Sequence, residues 1–245
     1  MKKILIILIL ILSVFSIANA HPFKSEKELY EYYAEIDKKI FAEKNKPIIR
    51  KKYPRKLTDK ELEQEQIPFS LKRYTVDEIV GNNKLVYNAF NYQLMSISQI
   101  NENNKEEGVI RIFDEDENLI SIAYIENSKG VMGIYREYYP WGVLKNETPY
   151  YTSEINGKLK NYYPDGLLKE EYTYYNNKKE GLATMYYESG QKFAIENYKN
   201  DLKNGDYYMY YENGNLGMKA FFVNGKREGT IEFYEEDGKK IEKNK

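Results

Sequence analysis

From about Tyr74 onward, apolar and aromatic residues alternate with polar ones, in short runs broken by Gly, Asn, Asp and Pro. Alternation at period two is the pattern of half-buried β-strands. Leu85, Tyr87, Ala89 and Tyr92 fall in one such run, and Val109, Ile110, Ile112 and Phe113 in another. The chain before them reads differently. Leu29, Tyr32, Tyr33, Ile36, Ile40 and Phe41 share one face of a helix. Ser25 and Glu28 form an S-x-x-E capping pair at its start, and Asn45-Lys46-Pro47 ends it. A second pair, Thr58 and Glu61, opens a short helix that must stop before Pro68. The basic run between them (Arg50, Lys51, Lys52, Arg55, Lys56) reads as a solvated linker, because Glu61, Glu63 and Glu65 follow it. Contact with anionic lipid or nucleic acid is the alternative for that run.

Within the strand-forming part a period stands out. Gly133, Gly157, Gly181, Gly205 and Gly229 are 24 residues apart, as are Gly142, Gly166, Gly190, Gly214 and Gly238. Between them Tyr138, Tyr162, Tyr186, Tyr210 and Tyr234 keep the same register. A fixed period of this length marks a repeat architecture. In the unit from Gly157 to Glu180, Lys158–Tyr163 reads as a strand, Pro164-Asp165-Gly166 as a turn and Leu167–Tyr175 as the return strand. Asn176, Asn177 and Lys178 then turn the chain towards Gly181, and Asn224-Gly225 repeats that turn as a strong hairpin signal, so the glycines of both series are expected at turns. The predicted fold is mainly β: an elongated, single-layer antiparallel β-meander of 24-residue hairpin repeats with a short helical N-terminal region. At about 4.8 Å per strand the sheet advances roughly 10 Å per repeat. The divisions expected are 1–20, a helical region 21–73, a strand-forming cap and degenerate repeat 74–132, and repeats over 133–245.

Side chains alternate along a strand, so neighbouring columns of tyrosine face opposite ways. One column is Tyr138, Tyr162, Tyr186, Tyr210 and the next is Tyr139, Tyr163, Tyr187, Tyr211; a third is Tyr150, Tyr174, Tyr198 with Phe222. The face carrying Leu159, Ala183, Tyr207, Ile231, Met185, Met209 and Phe233 is the more apolar, and the other mixes Tyr with Lys158, Lys160, Asp206 and Glu232. The lysine-rich end, Lys239 to Lys245, suits an open sheet edge.

Composition narrows the function. Tyrosine reaches 26 residues, charge is balanced at 37 Lys+Arg against 38 Asp+Glu, and mean hydropathy is −0.74. No basic excess exists to collect phosphates, so no nucleic-acid partner is expected. Lys2 and Lys3, the apolar run Ile4–Phe15 and Ala18-Asn19-Ala20 have the form of a signal peptide cleaved after Ala20. That run is too short to span a bilayer, so no membrane span is expected after cleavage and the mature chain is expected to be exported, periplasmic or secreted. Loss of the two lysines leaves it mildly acidic. There is no cysteine, which excludes disulfides and a lipid-modified N-terminal cysteine.

Candidate chemistry is sparse. The one histidine, His21, would become the mature N-terminus, and no second histidine is present to complete a copper site. With neither Cys nor an internal His, the usual nucleophile–base arrangements are missing. The acidic groups Asp114–Glu117 and Glu235–Asp237 fall at turns, where solvated acids are expected rather than a glycosidase pair, and Asp114 to Asn118 lacks EF-hand spacing. No catalytic residue, metal or cofactor is therefore expected. The expected function is binding. The candidate partner-binding residues are Tyr138, Tyr162, Tyr186 and Tyr210 on one face and Tyr139, Tyr163, Tyr187 and Tyr211 on the other. The only tryptophan, Trp141, is either a contact residue or packing over the neighbouring hairpin.

The segments YYENGNL (210–216) with NGKREG (224–229), YYPDGLL (162–168) and YYESG (186–190) resemble the MORN repeat in its bacterial variant. The resemblance covers roughly 133–245. Asn177 departs from it where a turn glycine is usual, and Pro149 falls inside a predicted strand. Proteins built mainly of this variant are grouped as YwqK-type antitoxins, which implies a binding and neutralising role without catalysis. Similar repeats accompany lipid-kinase domains in eukaryotes, but no glycine-rich phosphate loop is present, so kinase activity is not implied. The expectation is an exported, non-catalytic repeat protein that binds a protein or peptide, a toxin or a glycan among the options. Its alternatives are an antitoxin or immunity protein and, further off, a carboxylate-dependent hydrolase.

Overall fold

The computed structural model describes residues 23–49, 75–88, 93–126 and 129–242. The signal-like segment, His21, the basic run 50–56 and the short helix expected at Thr58 lie outside them. The described chain has one helix, α1 (Glu26–Lys44), followed only by strands. The first six are β1 (Thr75–Val80), β2 (Asn83–Asn88), β3 (Leu94–Ile100), β4 (Glu106–Phe113), β5 (Leu119–Glu126) and β6 (Gly130–Tyr138). Then come β7 (Leu144–Tyr151), β8 (Glu154–Ile155), β9 (Gly157–Tyr162), β10 (Leu168–Tyr175) and β11 (Lys178–Tyr186). The last are β12 (Lys192–Lys199), β13 (Leu202–Lys203), β14 (Gly205–Tyr210), β15 (Leu216–Val223) and β16 (Lys226–Phe233). All belong to one antiparallel sheet in chain order, with the two-residue strands β8 and β13 pairing back onto β7 and β12. The expected open meander is what forms, and it runs without a break from β1 to β16.

The two glycine series have different jobs. Gly142, Gly166, Gly190, Gly214 and Gly238 sit in the turns at φ between +82° and +93°, where an L side chain is strained. The first series is not in turns, contrary to the sequence expectation. Gly133, Gly181 and Gly229 lie inside β6, β11 and β16. Each marks a bulge in the pairing. Between Tyr172↔Ala183 and Tyr174↔Lys179, for example, β10 advances two residues and β11 four. The same two-residue excess occurs between Ser98↔Ile110 and Ile100↔Glu106, at Gly108. The degenerate unit therefore keeps the distinctive geometry of the regular ones.

The second turns of the repeats have both central residues at positive φ: Thr152-Ser153, Asn176-Asn177, Asn200-Asp201 and Asn224-Gly225. That is the type I′ arrangement whose twist matches paired strands. Asn177, where glycine was expected, offsets its strain with two bonds to the preceding unit. Its amide donates to the Ile155 carbonyl at 3.0 Å and its Oδ1 accepts from the Ile155 amide at 2.8 Å. Asp201 does the same with Lys179, and Ser153 with Val131. At the opposite rim the hydroxyls of Tyr139, Tyr163, Tyr187 and Tyr211 donate to the carbonyls of Tyr162, Tyr186, Tyr210 and Tyr234 at 2.8–3.0 Å. Each rim thus carries its own ladder of bonds from one unit to the next.

Helix α1 lies on the sheet over β4, β5 and β6. Ile36 and Ile40 join Val109, Ile122, Met132 and Tyr138 in one buried cluster. Gly133 makes this approach possible, because a Cβ there would stand 2.5 Å from Ile36 Cγ2. The helix is also pinned by polar bonds. The Arg136 guanidinium donates to both Asp37 oxygens at 2.8 Å and to Glu147 at 3.0 Å. The Tyr33 hydroxyl donates to the Asn156 carbonyl at 2.9 Å, and the Lys158 amide donates to the Tyr30 hydroxyl at 2.8 Å. Two details depart from the sequence reading. Phe41 is 54 % exposed instead of joining the buried face; its ring sits against Arg136. Ser25 caps the Glu28 amide as expected, but the Glu28 carboxylate accepts from Lys24, one residue before the cap. Pro149 is buried in β7 opposite Ile134, beside the bulge, where its missing amide is tolerated.

Candidate functional site

The register fixes which side chains share a face. On the helix side one cross-strand row runs Arg136, Glu147, Lys160, Glu171, Thr184, Ile195, Tyr208, Lys219, Glu232. Opposite charges stand next to each other at its start, and Lys158 pairs with Glu171 at 3.0 Å. Of the tyrosines predicted for this face, Tyr138 is 8 % exposed, inside the cluster under α1, with the Lys44 ammonium 4.3 Å from its ring centroid. It is engaged within the protein. Tyr162 donates to Glu147 at 2.8 Å, and burial pushes its phenol well above the usual value. Tyr186 and Tyr210 are half-buried, beyond the helix.

The opposite face carries a series of ring pairs. Tyr135 meets Tyr150 at 6.4 Å between centroids, Tyr172 meets Tyr198 at 6.3 Å and Tyr207 meets Phe222 at 6.1 Å, all edge to face. Carboxylates accept from the phenols. Tyr135 donates to Glu137 at 2.9 Å, Tyr172 to Glu170 at 3.1 Å, and Tyr198 to Glu196. Two lysines enter between rings. The Lys179 ammonium lies 3.8 Å from the Tyr172 centroid and 5.1 Å from that of Tyr198. Lys203 lies 4.8 Å from Tyr207 and 5.6 Å from Phe222, and 2.6 Å from a Glu196 oxygen. Burial, with nearby carboxylates second, holds the Tyr150, Tyr172, Tyr198 and Tyr207 phenols above their ordinary value, so they stay neutral donors at physiological pH.

The second predicted column stands at the rim of this face with its hydroxyls spent on the inter-unit ladder. Trp141 lies flat on Tyr139, 4.9 Å between centroids and 5° between planes, and its Nε1 donates to the Pro164 carbonyl at 3.2 Å. It remains 60 % exposed. It therefore packs over the next hairpin and still presents a surface. Asn213, three units on, bonds Glu236 in the same way. Sequence reasoning missed Tyr135, Tyr172, Lys179 and Lys203 as site residues. Lys179 and Lys203 are one period apart, a signal that was present. Which rings they would meet depends on the bulges.

The acidic groups do turn work. Asp114 accepts from the Asp116 and Asn118 amides, and Asp237 from Lys239. Among the described residues no three His, Cys, Asp or Glu side chains assemble to hold a metal. Nor is any described helix long and apolar enough to cross a membrane.

Residues 155–177, 179–200 and 203–224 match the MORN repeat variant family. The match supports the resemblance read from the sequence over these three stretches. Such repeats are generally non-catalytic, and an array of them is compatible with a binding role. The flanking units at Gly133 and Gly229 lie outside the matched residues but carry the same bulge; Tyr139 of the first donates to Tyr162, and Tyr234 of the last accepts from Tyr211. The comparison with curated proteins gave no significant match. Among solved structures, the crystal structure of TarM aligns at 11 % identity and TM-score 0.21, over 81 % of this chain and 26 % of that one. A mutant of S. aureus TarM in complex with fondaparinux, alpha-GlcNAc-glycerol and UDP aligns at 12 % and TM-score 0.18, over 81 % and 27 %. This chain spans about a quarter of the length of those structures, and a likeness at these scores carries no weight for fold or chemistry.

Proposed function

We propose that the protein is a non-catalytic binding protein, exported after removal of residues 1–20, that holds a protein or peptide partner on the sheet face opposite α1. The observation that carries this reading is the run of half-buried ring pairs, Tyr135–Tyr150, Tyr172–Tyr198 and Tyr207–Phe222, on a face with no helix over it among the described residues. Rings carried on a sheet that is bonded along both rims lose little freedom on binding, and aromatic residues dominate the energetics of such surfaces. On the helix side, by contrast, Tyr138 and Arg136 are already occupied.

The test is capture of partners from the source cell's envelope and medium by the mature chain, read by mass spectrometry. Serine at Tyr135, Tyr172 and Tyr207 together should abolish capture, and serine at Tyr162, Tyr186 and Tyr210 should leave it. Circular dichroism must show both folds retained. Retained capture in the first variant and loss in the second would place binding on the helix side instead. A toxin as the captured partner would turn the reading into the neutralising role that the repeat resemblance implies. N-terminal sequencing of exported material should begin at His21; a chain starting at Met1 in the membrane fraction would overturn the export.

A further inference from the structure

Lys179 and Lys203 occupy one backbone position in successive units, two residues after a type I′ turn. Ile155 and Val131 hold that position in the two units before. The equivalence rests on bonding as well as spacing: the carbonyls of Val131, Ile155, Lys179 and Lys203 accept from Ser153, Asn177, Asp201 and Gly225 in turn. Lys203 places its ammonium against Tyr207 and Phe222. Three periods earlier the same two positions are Tyr135 and Tyr150. Their geometry is nearly identical, 6.4 Å and 73° against 6.1 Å and 68°. There the residue in the lysine's place is Val131, and among the described residues no cation lies over either ring. The rings are half-buried. The carboxylate of Glu137 accepts from Tyr135 at 2.9 Å and has only a loose pairing with Lys145, at 3.8 Å.

From this we infer that Tyr135, Tyr150 and Glu137 form a binding site for an alkylammonium group, supplied by a lysine side chain or by a free quaternary amine. In two units the protein fills such ring pairs with its own lysine, and in this one it leaves the pair open. The attraction is that of a cation for ring faces, strengthened by a nearby carboxylate. Burial, then Glu137, raises the Tyr150 phenol, so the ring stays neutral and electron-rich. The inference deepens the interaction reading above by naming the chemistry that this end of the face takes, and it rests on that reading for its biological meaning.

The test uses the mature chain with ring-labelled tyrosine, followed by NMR. Tetramethylammonium should shift Tyr135 and Tyr150 saturably, and tert-butanol, its neutral isostere, should not. Tyr150→Leu should weaken that binding about five-fold or more. Val131→Lys should abolish it by filling the site from within. Lys203→Val should add a second saturable response at Tyr207, which tests the idea without altering the first site. An N- and C-capped lysine run beside tetramethylammonium identifies the source by which of the two binds more tightly. No saturable shift at Tyr135 and Tyr150, an equal response to tert-butanol, or no change on Tyr150→Leu would overturn the assignment. Capture of the partner is scored on the same variants. Cation binding with capture unaffected by Tyr150→Leu upholds the ammonium site and removes this face from the interaction reading. Loss of capture without any cation response does the reverse.

Discussion

Phenylalanine at Tyr163, Tyr187 and Tyr211 removes three hydroxyls and leaves every ring in place. Each hydroxyl donates at 2.8 Å to a backbone carbonyl 23 residues on, so each links one unit to the next. A typical internal hydrogen bond contributes about 1 kcal/mol net. The three sites are roughly 10 Å apart along the sheet, far enough for their losses to add. The triple variant should therefore lose about 2–4 kcal/mol. For a chain of this size that lowers Tm by roughly 5–15 °C. Urea unfolding followed by circular dichroism measures the total, and the three single variants measure the parts. Because the bonds join neighbours in a quasi-one-dimensional array, the loss should also separate the units. Native-state hydrogen exchange should then show the strands after Tyr186 opening before the α1 cluster. A triple variant within about 0.5 kcal/mol of the wild type, inside the range of ordinary surface substitutions, would refute this account of the rim. So would a single variant carrying the whole loss.

The two glycine environments give a paired test. Gly133→Ala should cost about 1–2 kcal/mol of left-handed backbone strain and about 1–3 more for the clash with Ile36; Gly181→Ala, with nothing within 4 Å of its Cβ, should cost the strain alone. Equal losses in urea unfolding would mean that α1 does not dock at Gly133. In alkali, Tyr30 sets a window. Burial pushes its phenol up to about 12 from an ordinary value near 10. A raised value means that the folded state holds the proton longer. Its contribution is complete below pH 10 and is lost as pH rises towards 12. Tyrosinate absorbance for part of the chain should then appear only as the dichroism is lost; full ionisation near pH 10 with the fold intact would contradict this.

Much of the fold was legible because the residues that encode it act locally. A glycine at φ > 0 is required by the turn it occupies, so Gly142 to Gly238 announce their turns in the sequence. Ser25 and the apolar positions of α1 were likewise readable from spacing. What α1 packs against was not readable. Ile36 and Ile40 are an apolar stripe in any setting, and nothing near them names Ile122 or Met132 as partners. The bulges hid the rest. At Gly181 two extra residues shift the register, and that shift decides that Lys179 lies between Tyr172 and Tyr198. Periodicity placed the tyrosines in columns, and only the pairing assigned each its neighbour. Phe41 shows the limit of a helical-face argument: it lies on the edge of the stripe and stays exposed against Arg136.

Among the described residues the links between units at either rim span a single period, and the bonds of α1 to the sheet reach no further than Lys158. Among the described residues no hydrogen bond ties the far strands back to the helix. The array is therefore a gauge of adjustable length fixed to a constant head. A whole unit duplicated or deleted between Gly157 and Gly205 would move the far end by roughly 10 Å while leaving the Asp37–Arg136 anchor and its apolar cluster untouched. How far the protein reaches and what it grips can change independently in evolution or in the hands of an engineer.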